Sequence, residues 1–257
     1  MIRLHATHCQ TTRTGKRILV QPDLLPDVIA IDGPAASGKS TIGLMLAQRL
    51  GYLCLDTGSM YRALTLAAIL KGISPDNEND ITRLASDCDL AIIPLSGETD
   101  GRHYTVMLNG VDVTWDLRSP QVDAAVSQVS TYPGVRSRMV ERQRAVGRRG
   151  RVVMIGRDIG TVVMPDAGLK LYITASPEER ARRRLIDRVR QGNDDEYQSI
   201  LADVVRRDQM DGSRVLSPMR PAVDAITIDT TGRSAEVVIE EIMSILNLNH
   251  FQPEGRA

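Results

Sequence analysis

Aromatic side chains are scarce, with one Phe, one Trp and six Tyr in 257 residues. Surfaces that hold single-stranded nucleic acid stack bases on aromatic rings, and the net charge of zero removes bulk attraction to phosphate backbones. No nucleic-acid partner is therefore expected. Cysteine is also scarce. Cys9, Cys54 and Cys88 are odd in number and widely spaced, which excludes a disulfide framework, offers no paired metal ligands and suits a reducing compartment. His5 and His8 form a pair in a polar stretch, but no second ligand pair follows. No apolar run approaches the ~18 residues of a membrane span. Residues 1–20 lack the uninterrupted apolar stretch of a secretory signal. A cytoplasmic protein with no membrane partner is expected. Lysine is the last scarcity, since 28 of the 32 basic residues are Arg. Arginine suits bidentate phosphate recognition, although surface solvation explains most of them equally well.

At 42% hydrophobic residues the chain can bury one sizeable core. Residues 1–27 show no clear period and end in Pro22 and Pro26, so they read as a mobile N-terminal extension to a domain spanning 28–257. Five short runs are apolar on both alternating faces: Val28–Asp32, Leu53–Leu55, Val152–Ile155, Leu171–Thr174 and Ala225–Ile228. That pattern marks strands buried on both sides, as in a parallel sheet covered by helices. Helical periods lie between them, at 40–50 (Ile42, Met45, Leu46, Leu50), 58–70 (Tyr61, Leu64, Thr65, Ala68) and 177–190. The last carries Ser176 as cap, Pro177 at the first position and Glu179 to complete a capping box. The alternation argues an α/β doubly wound domain. Residues 74–116 break the rhythm. Ala91–Ile93, His103–Leu108 and Val111–Thr114 read as strands, and Asn109-Gly110 is a hairpin signal. A small antiparallel β insertion is expected there.

Gly33-Pro34-Ala35-Ala36-Ser37-Gly38-Lys39-Ser40 fits G-x-x-x-x-G-K-[ST] without mismatch, between a buried strand and an amphipathic helix as the motif requires. Gly33 and Gly38 allow a backbone that turns successive N–H groups inward around phosphate oxygens. The helix N-terminus adds partial positive charge. Lys39 can reach the β- and γ-phosphates of ATP, and the Ser40 hydroxyl can join a Mg²⁺ shell. Residues 33–41, through Thr41, form the expected ATP-binding segment. A guanine-reading Asn-Lys-x-Asp segment does not occur, which weakens a GTPase reading.

Five ordered segments then resemble bacterial-type cytidylate kinase: Ile29–Pro34, Leu55–Arg62, Ala125–Ser130, Gly156–Val163 and Pro165–Ala167. The resemblance runs from about residue 28 to 247. It implies a five-stranded parallel sheet with helices on both faces, a monophosphate-binding insertion and a mobile lid over about 184–196. It also implies transfer of phosphate from ATP to CMP and dCMP, with Mg²⁺. Carried over by position, Asp56, Thr57 and Arg62 line the monophosphate side, and Ser127 and Arg136 contact the cytosine edge. Arg157 holds phosphate, and Asp158 helps read the pyrimidine. Arg207, Asp211 and Arg214 form a sugar- and phosphate-binding set. Their i, i+4, i+7 spacing shares one helical face, a pattern that a solvated ion-pair ladder also gives. Gly212 is a candidate to end that helix before Arg214. Lys39, Arg157 and the lid residue Arg188 are the expected catalytic cations.

Two Arg clusters, at 136–157 and 182–190, suit the roughly six negative charges of a triphosphate and a monophosphate brought together. The sequence offers no strong general base, and phosphoryl transfer needs alignment and charge neutralisation more than covalent help. One position departs from the family: Ile155 stands where an acid is usual. Asp32 and Asp56 are the candidate substitutes near the metal. A non-catalytic nucleotide-binding protein on the same fold, or a kinase of another small metabolite, are the alternatives. The expected state is a monomer.

Overall fold

The computed structural model describes residues 25–93, 100, 102, 104–190, 192, 194–213 and 217–249. In chain order its elements are β1 (Val28–Asp32), α1 (Lys39–Leu50), β2 (Leu53–Asp56), α2 (Gly58–Leu70), α3 (Glu78–Asp87), β3 (Leu90–Ile93), β4 (Thr105–Leu108) and β5 (Val111–Asp112). There follow α4 (Pro120–Val129), α5 (Pro133–Gly147), β6 (Val152–Ile155), β7 (Leu169–Thr174), α6 (Pro177–Arg190), α7 (Tyr197–Gly212), β8 (Ile226–Asp229) and α8 (Ala235–Asn249). A π-helical turn, Ile159–Val163, follows β6.

The main sheet has five strands in the order β2-β6-β1-β7-β8, and every neighbouring pair is parallel. The chain first winds from β1 toward β2 and β6, then returns to build β7 and β8 on the other side. That reversal puts a crevice at the carboxyl end of β1, where open α/β sheets bind ligands. On one face Ile29, Ile31, Val153, Ile155 and Ile173 pack against Ile42 and Leu46 of α1 and Val238, Ile239 and Ile242 of α8. On the other, Val28, Ala30, Val152 and Met154 join α2, α4, α5 and the insertion. The continuously apolar runs in β1 and β6 are the signature of this double cover. β8 departs from it. As an edge strand it buries Ile228 but leaves Ile226 over a third exposed, so an apolar run there did not mean burial on both faces.

The insertion carries a three-stranded sheet, β3-β4-β5, with antiparallel pairing. Asn109 and Gly110 both take positive φ, 50° and 80°, as a two-residue hairpin turn with right-handed strand twist demands. The insertion is not only β. The sequence reading missed α3, although Ile81, Leu84 and Ala85 form a buried stripe at helical spacing and its ends are well specified. The Asn77 side chain accepts from Asp80 N at 3.1 Å, and Arg142 of α5 donates to Cys88 O at 2.7 Å beyond its end. Helices α3 and α5 approach closely at Gly134, where a Cβ would lie 2.3 Å from Thr82 Cγ2.

Two local expectations change. Ser176 Oγ does accept from Glu179 N at 3.2 Å. The reciprocal half of the box is absent, because Ser176 N donates to Thr231 Oγ1 and the Glu179 carboxylate pairs with Arg182 and Arg183. The body also begins before Val28: Leu25 packs on the α1 face, and Val152 N donates to Asp27 O at 2.9 Å. The rest of the N-terminal stretch, residues 1–24, lies outside the described residues, as does His103. Among the described residues no helix is long and apolar enough to cross a membrane.

Candidate functional site

The loop between β1 and α1 is built by positive-φ residues: Gly33 at 140°, Ala36 at 59° and Gly38 at 91°. A Cβ on Gly33 would lie 2.0 Å from the Ile173 carbonyl oxygen of β7, so only glycine fits. No side chain caps α1 at Gly38, leaving its first-turn amides turned toward the loop for an anion. The Ser37 hydroxyl is buried without a hydrogen-bond partner among the described residues. The buried Lys39 ammonium curls back to donate to Pro34 O. Burial, followed by the nearby Arg157, pushes its pKa down to about 7.

Ser40 Oγ donates to Asp56 Oδ2 at 2.9 Å, and Asp56 Oδ1 accepts from Gly58 N at 3.0 Å. A hydroxyl beside a carboxylate is the oxygen chemistry that Mg²⁺ selects. No cluster of three potential metal-binding acids, His or Cys occurs among the described residues, so phosphate and water must complete any shell. Of the two candidate substitutes for an acid at 155, Asp56 is the one that faces Ser40. Both Asp32 oxygens accept backbone amides instead, from Ile159 and Gly160, each at 2.7 Å. Ile155 is only 2% exposed and packs over Gly43 of α1, where a Cβ would approach Ile155 Cδ1 to 2.5 Å.

Across the crevice, Arg157 Nε pairs with Asp211 Oδ2 of α7 at 2.8 Å, and its Nη1 donates to Gly33 O at 3.4 Å. Asp158 pairs with the buried Arg136. Arg136 also donates to Ser130 O at 3.2 Å and lies 5.8 Å from the Tyr61 ring centre. The expected base-reading residues Arg136 and Asp158 are therefore brought together. Ser127 is half-buried on α4, whose buried stripe is Val122, Ala125, Val126 and Val129. Arg62 pairs with Asp123 at 2.7 Å and donates to Leu117 O. The Thr57 hydroxyl donates to Ile155 O at 2.8 Å and so ties α2 to β6. Arg207 Nε is buried without a hydrogen-bond partner among the described residues. Burial, then repulsion from Arg157, lowers its pKa to about 10. Helix α7 ends at Gly212, so Arg207 and Asp211 share its face, and Arg214 lies outside the described residues. A cavity of about 540 Å³ runs along α5 past Arg136, Val140, Arg144 and Arg148 but holds no residue of the loop.

Spacing within the Arg-rich α6 could not say which arginines approach the loop. The structure selects Arg180 and Arg183. Arg180, 3% exposed, donates to Ala35 O of the loop and to Ala175 O, and grips Asp208 of α7 with two bonds of 3.0 and 2.5 Å. Arg183 Nη1 lies 3.5 Å from the position of a Cβ on Gly38 and donates to Thr230 Oγ1 at 3.0 Å. Arg188 sits near the end of α6, paired with Asp195 at 2.7 Å. Neither Arg180, Asp208 nor Thr230 carried a sequence signal; the long-range pairing alone reveals them.

The comparison with known proteins gives one family. The profile described as Cytidylate kinase matches residues 29–248. A cytidylate kinase of Roseiflexus castenholzii is 52% identical over 219 residues, covering 85% of this chain and 93% of its own length. Those of Chloroflexus aggregans and a Geobacillus species are 48% and 46% identical, with 87% and 85% of this chain covered and 94% and 96% of their own.

Proposed function

The chain belongs to the cytidylate kinase family, ATP-dependent kinases of CMP and dCMP, and we propose that its loop side holds ATP while the Arg136–Asp158 and Arg157–Asp211 pairs receive the monophosphate. One observation carries this division. Burial lowers both Lys39 and Arg207, and Arg157, which donates to Gly33 O of the loop, adds repulsion to each. Cations gathered beside the loop, two with lowered pKa, make a site that binding a polyanion relieves. ATP and CMP together are that polyanion.

In this reading the loop amides and Lys39 take the β- and γ-phosphates, and Arg157 and Arg207 take the acceptor phosphate. Asp158 and Arg136 read the cytosine edge, with Ser127 beside them. Mg²⁺ fits at Ser40 and Asp56, where it would neutralise phosphate charge. The acceptor phosphate is already ionised near neutral pH, so alignment and charge neutralisation suffice without a base. The α6–α7 pair has its own small core of Ala181, Ile200 and Val204, which supports its closing over the nucleotides as a unit and shutting out water. Arg188 would exchange Asp195 for phosphate on that closure. A non-catalytic relative is not favoured, since lysine, hydroxyl and carboxylate all stand at the loop. The test is purified protein with ATP, Mg²⁺ and a panel of nucleoside monophosphates. CDP and dCDP formation is expected; tight binding without turnover would overturn the kinase reading.

A further inference from the structure

Asp158 occupies the N-cap position of the π-helical turn Ile159–Val163, yet its side chain makes no cap hydrogen bond. Aspartate at that position ordinarily accepts from the first free amides of the turn, since these have no partner within it. Here the amides are satisfied from another strand. Asp32, last residue of β1 and 4% exposed, accepts Ile159 N on one oxygen and Gly160 N on the other. The Asp158 carboxylate is thereby released to Arg136.

We propose that Asp32 is a positioning residue that caps this turn in place of Asp158, and so keeps the Asp158 carboxylate available for the monophosphate. The inference rests on the reading of Asp158 as a base-reading residue. Two observations support it beyond the hydrogen bonds, and the hydrogen bonds themselves add a third. Asp32 lies one bond before Gly33, so the same residue that launches the ATP loop fixes the backbone just after Arg157 and Asp158. Alternation along β1 turns Asp32 to the face of Val28 and Ala30, and both its oxygens are taken by amides, whereas Ser40 pairs with Asp56, so Asp32 is committed to the turn although Lys39 lies within its electrostatic reach. A buried carboxylate with two amide donors is also a fixed object, because neither oxygen can move without leaving an amide unpaired.

Asp32→Asn keeps one acceptor oxygen but sets an NH2 donor against the other amide, so one buried N–H loses its acceptor beside a carboxylate able to cap it. Asp158 should then turn inward and abandon Arg136. The test is a double-mutant cycle of Asp32→Asn and Asp158→Ala, read as KM for CMP, Kd for ATP and kcat. Each single variant is expected to raise KM for CMP by at least ~10-fold while Kd for ATP stays within about threefold. The double variant should be no worse than Asp158→Ala alone, since both act through one carboxylate. Fully additive losses, or equal weakening of ATP and CMP in Asp32→Asn, would show that Asp32 merely supports the fold and would overturn the proposal. An unchanged KM in Asp158→Ala would sink the base-reading assignment and the proposal with it. Should Asp32→Asn fail to fold, amide hydrogen exchange on the parent decides. Slow exchange at Ile159 and Gly160 supports the clamp, and exchange at the rate of open backbone refutes it.

Discussion

Lys39 illustrates how a single residue stores an expectation about ligand binding. Held down to about 7 by burial and Arg157, it is mostly neutral at pH 8 and mostly charged at pH 6. Triphosphate beside it favours the charged form and raises its pKa. ATP·Mg²⁺ binding should therefore take up close to one proton at pH 8 and far less at pH 6. Calorimetry in buffers of different ionisation enthalpy measures this, and Lys39→Met should abolish it. Equal uptake in parent and variant would show that another group titrates. Ile155 makes a second case. It is the register partner of Asp56, on the α1 face and packed over Gly43. Ile155→Asp would bury a carboxylate beside another and empty the space above Gly43. A cost of several kcal/mol is expected, which is a fall of ~10 °C in melting temperature. The Mg²⁺ concentration for half-maximal rate should hardly change, because Ser40 and Asp56 already form the oxygen pair. A melting curve and a Mg²⁺ titration check both halves.

Among elements, α6 and α7 are joined by the Arg180–Asp208 pair as well as by their small apolar core. Arg180 is nearly sealed from water, whereas the Asp208 side chain is 27% exposed, so the pair is worth less than a fully buried one. Asp208→Asn should cost roughly 1–3 kcal/mol by leaving the Arg180 charge poorly matched. The larger effect should fall on coupling. An Arg180 no longer anchored by Asp208 should hold Ala35 of the loop less firmly and admit water, so more ATP should be hydrolysed for each CDP formed. The ratio of ADP to CDP reads this out. A ratio that stays at one would confine Arg180 to a supporting role.

For the molecule as a whole, the junction at Leu25 separates two expectations. Deleting residues 1–24 should leave melting temperature and turnover nearly unchanged, since that stretch shows no apolar period able to join a core. Deleting through Asp27 removes the Leu25 packing and the acceptor for Val152 N. A cost of about 1–2 kcal/mol is expected, seen as a drop of ~3–6 °C. Equal melting curves for the two truncations would show that residues 25–27 only lie on the surface.

What could be read from the chain alone was whatever local physics dictates. The loop from Gly33 to Ser40 needs positive φ, an uncapped helix start and one lysine, and those demands are written in eight consecutive residues. The β1 and β6 runs announce a doubly covered sheet because Val28–Ile31 and Val152–Ile155 are apolar at every position, and Asn109-Gly110 announces its turn because few other pairs take positive φ twice. The resemblance to cytidylate kinase suggested roles for Arg136, Arg157 and Asp158 that no spacing contained. Tertiary structure decided the rest. Helix α3 is fixed by its Asn77 cap, by Arg142 from a distant helix and by the burial of Ile81, Leu84 and Ala85 in the core. Ser40 meets Asp56 and Asp32 meets the amides after Asp158 only because the parallel sheet brings strand ends from remote segments to one edge, and Arg180 meets Asp208 only because α6 packs against α7. A charged side chain can take many partners in sequence; burial leaves it the one whose geometry satisfies both.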